Sequence, residues 1–255
     1  MSAPALRIDA VSRRFGGVLA VDTVSFEVAD GSLTALIGPN GAGKTTMFNA
    51  ITNLFPPTAG AAFFFGQPLA GLAGDAIAQR GLIRTFQSAR VFPGMTALEN
   101  VMCGAHMHMR SSPLAQMFYT TRARREEQEL ELKASELLEL VNLAHVVDAS
   151  AIDLPMGAQK TLEIARALMA RPRMLLLDEP AAGLNDTETN EIANLLSAIR
   201  AAGTTILVVE HNMSLVMGIA DQVVVLDAGR VIADGKPAEI QQNARVIEAY
   251  IGVED

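Results

Sequence analysis

The sequence is short of cysteine: among 255 residues there is one, Cys103. A single thiol closes no internal disulfide, which excludes a disulfide-stapled scaffold and fits a reducing compartment. The first ten residues offer neither a basic start nor an apolar stretch, so no secretory leader is read there. Basic charge is scarce as well. With 28 acids against 20 bases the formal net charge is −8, and nucleic-acid phosphates favour a basic face. Long unbroken apolar runs are also missing. Residues 45–74 carry no charge and include Phe63, Phe64 and Phe65, but Pro56, Pro57, Gly60, Gly66 and Pro68 interrupt them. A spanning helix needs about 20 consecutive, mostly apolar residues, so no membrane span is expected. Internal repeats and low-complexity linkers are absent. What is present is an ordinary globular balance, 50% hydrophobic and 19% charged, enough for a sizeable core in one large domain or two small ones.

Val24, Phe26 and Val28 alternate with Ser25 and Glu27, the period of a half-buried strand. An apolar run at 33–37 leads into a glycine-rich segment, and a helix is predicted over 45–53, stopped by Pro56-Pro57. Strand signals are few between about residues 88 and 160. Thr96-Ala97-Leu98-Glu99 reads as a capping box that starts a helix. Leu130, Ala134, Leu137, Leu138 and Val141 share one face of a further helix over 122–141, with Arg122/Glu126 and Glu129/Lys133 as opposite charges four apart. Beyond 160, strands and helices alternate. Runs at 174–177 and 205–209 read as strands covered on both faces. Ile192, Leu195, Leu196 and Ile199 form the stripe of a helix closed by Gly203, and Asp227-Ala228-Gly229 turns a hairpin. The expectation is an α/β core of residues 1–87 and 161–255, interrupted by a helical subdomain at 88–160.

The segment Gly38-Pro39-Asn40-Gly41-Ala42-Gly43-Lys44-Thr45-Thr46 satisfies G-x-x-x-x-G-K-[ST] between a strand and a helix. Glycines let successive amides turn towards one anion, and the helix start adds partial positive charge. In such a loop Lys44 reaches the β- and γ-phosphates of ATP and the Thr45 hydroxyl reaches Mg²⁺. Gly38, Asn40, Gly41, Gly43 and Thr46 complete the candidate ATP-binding set. The apolar run 174–177 ends in Asp178-Glu179, where Asp178 suits the Mg²⁺ shell and Glu179 would polarise the attacking water. His106 and His108 have no Cys or further His nearby and read as surface residues rather than metal ligands. Met107, Met109 and Met117, with Phe118, read as helix packing, with a surface for a partner's helix as the alternative.

Further segments follow in a fixed order: Arg84-Thr85-Phe86-Gln87, then Leu154-Pro155-Met156-Gly157-Ala158-Gln159, then Glu210-His211. Together with the two above they resemble, over nearly the whole chain, the ATP-binding subunits of ABC transporters. The resemblance implies an α/β fold: a P-loop NTPase, ABC-type nucleotide-binding domain with a helical subdomain and an antiparallel β region. It implies an ATPase that uses ATP and Mg²⁺. It also implies that Gln87 joins the Mg²⁺ shell and links nucleotide to a membrane partner, that His211 is the switch histidine at the γ-phosphate, and that Phe15 stacks on adenine. Gly157, at the start of a helix over 158–169, would offer its amides to the ATP of a second copy, so that two ATPs close between two chains. The signature segment departs from the family's usual form: Pro155 replaces a serine and Ala158 a glutamine, and Asn185 stands where aspartate is common.

A narrower resemblance rests on Phe15-Gly16-Gly17-Val18-Leu19-Ala20-Val21, on Pro180-Ala181-Ala182-Gly183-Leu184-Asn185, on Glu210-His211-Asn212-Met213, on Leu215-Val216-Met217 and on Val246-Ile247-Glu248-Ala249-Tyr250-Ile251-Gly252. These look like the branched-chain amino acid importers, and most like the longer of two paralogous ATPase subunits, which carries an insertion like residues 104–128. Importers of urea or amides share the same phrases. The resemblance implies two transmembrane permease subunits, a second ATPase subunit (identical or paralogous), a solute-binding protein met only indirectly, and a peripheral place on the cytoplasmic face of the inner membrane. A nucleic-acid or ribosome-associated ABC ATPase is the alternative of another class. It would bring a long coiled coil or tandem cassettes, and this chain has one cassette and no sustained heptads. A kinase on the same phosphate loop would leave Gln87, the signature segment and His211 without a role.

Overall fold

The computed structural model describes residues 3–85, 90–109, 117 and 120–251. The strands are β1 (Leu6–Phe15), β2 (Val18–Val28), β3 (Leu33–Ile37), β4 (Ala59–Phe64), β5 (Gln67–Pro68), β6 (Leu82–Arg84), β7 (Met174–Asp178), β8 (Thr205–Val209), β9 (Gln222–Asp227) and β10 (Arg230–Gly235). The chain divides into two compact units, Met1–Gln87 with Arg173–Asp255, and Ser88–Pro172.

The first unit holds both sheets. One is antiparallel, in the order β2-β1-β4-β5. Its second strand alternates as the sequence predicts, with Val24, Phe26 and Val28 buried and Ser25 and Glu27 exposed. The other sheet runs β10-β9-β3-β8-β7-β6. Its strands are parallel from β9 to β6, and β10 joins antiparallel through the expected hairpin. Every residue of β3, β7 and β8 is buried, which is why these strands read as continuous apolar runs rather than alternating ones. The helix Lys44–Ile51 lays Met47, Phe48 and Ile51 into a core that also holds Leu36, Leu176, Leu207, Val209 and Leu226. Each such side chain contributes about 1.5–3 kcal/mol on full burial.

The second unit is built on the helices Ala97–Met102, Thr121–Leu140 and Met156–Met169. The capping box at Thr96 forms as read: the Thr96 hydroxyl accepts from the Glu99 amide at 3.2 Å, and the Glu99 carboxylate accepts from the Thr96 amide at 2.8 Å. Ala134, Leu137 and Leu138 make the buried stripe of the long helix. On its outer face Lys133 reaches Glu136 at 2.9 Å, three residues on, not the Glu129 that spacing alone suggested. The unit ends at Pro172 and not at 160, because the helix Met156–Met169 buries Leu162, Ala165 and Met169 and packs against the other two helices. Gly104 makes room for that packing, since a Cβ there would lie 2.0 Å from the Arg166 carbonyl oxygen. Among the described residues no helix is long and apolar enough to cross a membrane.

Candidate functional site

Three adjacent parallel strands, β3, β8 and β7, end side by side. Leu36 is paired with Val209, and Val209 with Asp178. Open parallel sheets bind ligands just beyond such carboxyl ends. The chain leaves β3 into the glycine loop, β7 into Glu179, and β8 into Glu210 and His211.

The loop's geometry requires its glycines. Gly38 has φ +151°, and a Cβ there would sit 2.0 Å from the Leu226 carbonyl oxygen; Gly43 has φ +100°, with the Ala20 carbonyl oxygen 2.6 Å from any Cβ. The hairpin turn braces the loop, as the Gly229 amide donates to the Ala42 carbonyl at 3.1 Å and the Gly229 carbonyl accepts from Asp22 at 2.8 Å. Gly43 caps the helix Lys44–Ile51 without a side-chain acceptor, and the first turn contains no acid. The leading amides therefore have no intrahelical partner, and no acid of the helix's own first turn offsets its positive end. Asn40, Gly41 and Thr45 are exposed and Thr46 is half-buried. Lys44 is buried, and its Nζ donates to the Gly38 and Pro39 carbonyls at 2.7 and 3.0 Å. Burial lowers the Lys44 pKa from its usual value, while the charges of Glu179 and Asp178 act to raise it, so both acids lie within its field.

Asp178 is buried and pairs with Arg84, whose Nη2 lies 3.0 Å from Oδ2. Nη1 of the same guanidinium donates to Asn49 Oδ1 at 2.7 Å. Burial pushes the Asp178 carboxyl above the usual carboxylate range, and the Arg84 hydrogen bond holds it back. A buried carboxylate and an exposed threonine hydroxyl are hard oxygen donors of the kind Mg²⁺ takes, so this donor set fits the ion. Glu179 has φ +50°, a strained backbone for a residue with a side chain. Its amide donates to the Val209 carbonyl at 2.9 Å, and its own carbonyl accepts from Ala182 at 3.1 Å. His211 Nδ1 stands 3.9 Å from Glu179 Oε2, neighbouring it but too far for a hydrogen bond.

Lys44, Asp178, Glu179 and His211 are thus brought to neighbouring strand ends. Phe15 is 39% exposed, meets Phe55 edge-on at 5.7 Å and carries the Arg13 guanidinium 4.6 Å from its ring centre. Gly157 belongs to the other unit, buried in the first turn of the helix Met156–Met169. Pro155 caps that helix without a side-chain acceptor, and Gln159 folds back to donate to the Leu154 carbonyl at 2.8 Å. Asn185 acts locally, forming a reciprocal capping box with Glu188, each bond 3.0 Å, at the start of the helix Asp186–Ala201. Gln87 lies outside the described residues, as do Phe86 and Phe118. Sequence reasoning assigned no site role to Arg84, Glu210 or Tyr250. The Tyr250 phenol is pushed up by burial, with a hydrogen bond to the Gly38 backbone acting the other way. Only for Glu210 was a signal available, an acid set directly after a five-residue apolar strand.

A family model described as ABC transporter matches residues 21–182, more than half the chain. The chain belongs to the ABC transporter family. A further model, described as branched-chain amino acid ATP-binding cassette transporter, matches residues 230–255. The cassette is 46% identical over 99% of both chains to BraF of Pseudomonas aeruginosa, a high-affinity branched-chain amino acid transport ATP-binding protein. It is 42% identical, again over 99% of both, to Escherichia coli LivG, which carries the same description. A crystal structure of the ADP conformation of an ATP-binding cassette of an ABC transporter superposes with a TM-score of 0.84 at 34% identity, covering 98% of this chain and 99% of that one. This ABC cassette is a transport ATPase, built on an α/β core with helices and an antiparallel sheet.

Proposed function

We propose that this cassette hydrolyses ATP to power the import of branched-chain amino acids, closing as a dimer against two separate transmembrane permease subunits. The observation that carries the reading is the convergence of Lys44, Asp178, Glu179 and His211 on neighbouring strand ends. The substrate class follows from BraF and LivG, to which the chain is similar along its whole length.

The triphosphate enters the amide-lined loop from Gly38 to Thr46, with Asn40 and Gly41 on its open side. Lys44 exchanges its carbonyl partners for β- and γ-phosphate oxygens. Thr45 and Asp178, with Gln87, would hold Mg²⁺, which when bound neutralises phosphate charge. Glu179 takes a proton from the attacking water, and His211 donates to the γ-phosphate. Phe15 stacks on adenine. The second ATPase subunit, identical or paralogous, contributes the amides around Gly157, and Pro155 and Ala158 leave main-chain groups to act there. The working place is peripheral, at the cytoplasmic face of the membrane, and the solute-binding protein acts through the permeases.

The test is Glu179→Gln in the complex purified from membranes. ATP turnover should fall by about 10²–10⁴-fold, the range for loss of a general base, with ATP still bound. Turnover near the wild-type rate would remove Glu179 from its role. Recovery of the permease pair, with ATP-dependent leucine uptake in reconstituted vesicles, decides the substrate class against urea or amides.

A further inference from the structure

Glu210 follows β8 directly, and its side chain is fully buried, at 0% exposure. A carboxylate so placed is costly unless its oxygens are well supplied with donors. Here the donors are main-chain amides from two different loops. Oε1 accepts from the Ala181 amide at 2.7 Å. Oε2 accepts from the His211 amide at 3.1 Å and more distantly from Asn212 at 3.4 Å. Among the described residues no lysine or arginine pairs with it. Shaping its own turn would require Oε2 alone. The short Oε1 bond instead crosses from β8 to the segment two residues past Glu179, so one rigid carboxylate joins the loops on either side of that residue.

We propose that Glu210 is a positioning residue for hydrolysis, a staple that holds residues 180–185 and His211 in fixed register about Glu179. The proposal rests on the ATPase reading above and adds a residue to it. Because the staple spans both loops, displacement of residues 180–185 is transmitted to His211, and the reverse.

The experiment uses Glu210→Gln in the full-length chain. An amide presents its oxygen to one loop only and turns an NH₂ towards the N–H donor of the other. Amide hydrogen exchange should speed up by about tenfold in both segments, 179–186 and 210–216, with the interiors of β7 and β8 unchanged. The kcat for ATP should fall by about ten- to a hundredfold with KM within about twofold, since misplacement of a catalytic group by about 1 Å has such a cost. In a His211→Ala background the same substitution should cost less kcat than in the wild type, because the share carried through His211 is already lost. Should the glutamine variant fold poorly, Glu210→Asp, one methylene too short to reach both loops, should give a similar kcat loss with a somewhat lower thermal midpoint that still lies above the assay temperature. Faster exchange in one segment alone, unchanged kcat, or effects of Glu210 and His211 that multiply would each overturn the staple. A wild-type complex without ATP turnover would instead overturn the functional reading and the hydrolytic role with it.

Discussion

At the scale of single residues the site balances the buried Lys44 against two acids, Asp178 and Glu179. Lys44 is held by two carbonyls of its own loop and feels both carboxylates beyond it. Replacing it with alanine should weaken nucleotide binding by about ten- to a hundredfold, the equivalent of about 1.5–3 kcal/mol for a charged hydrogen bond. Titration with a fluorescent ATP analogue measures this, and an unchanged affinity would remove Lys44 from the phosphate site. The positions of Lys44, Asp178 and Glu179 are legible in sequence because each belongs to a local pattern, a loop motif or a strand end. The pairings of Arg84 and Glu210 are not, even though Glu210 itself follows an apolar strand, because their partners lie 94 and 29 residues away and only the sheet register brings them together. The strained backbone of Glu179 is hidden for a similar reason. It accompanies a bond to Val209, on a neighbouring strand.

At the scale of elements, local chemistry and tertiary packing separate cleanly. The capping box at Thr96 is written in four consecutive residues and forms. Thr96→Ala should lower stability by about 1 kcal/mol, seen as a lower denaturant midpoint at constant slope. Gly104 looks ordinary in sequence, with neither a turn motif nor a positive φ to mark it. Its constraint comes from the Arg166 carbonyl of another helix. Gly104→Ala should therefore destabilise the helical unit by about 1–3 kcal/mol through overpacking, with thermal unfolding as the readout. If the variant melts like the wild type, the close approach is not what fixes a glycine there. The helix Met156–Met169 makes the same point about boundaries. Its sequence neighbours suggested an edge near 160, whereas its buried face carries it into the unit that ends at Pro172.

At the scale of the whole molecule, the α/β core and the helical interruption were legible from the change in periodicity. The second sheet's strand order was not, since an order such as β9-β3-β8 is decided by crossovers rather than by any local signal. Two copies of a chain with charge −8 repel one another, so association needs a specific bridge. With Glu179→Gln blocking turnover, ATP should convert monomer to dimer, alone or with the paralogous subunit supplied, as followed by light scattering; ADP should not. A mass that stays monomeric under both conditions would remove the shared nucleotide from the account. The place of β3 has one more consequence. This strand is synthesised early, yet its hydrogen-bonding neighbours on both sides, β8 and β9, emerge some 170 and more residues later. On the ribosome, the nucleotide cradle lacks its full pair of flanking strands until translation has passed Asp227. Until then an apolar, incompletely paired segment is exposed to chaperones and to aggregation.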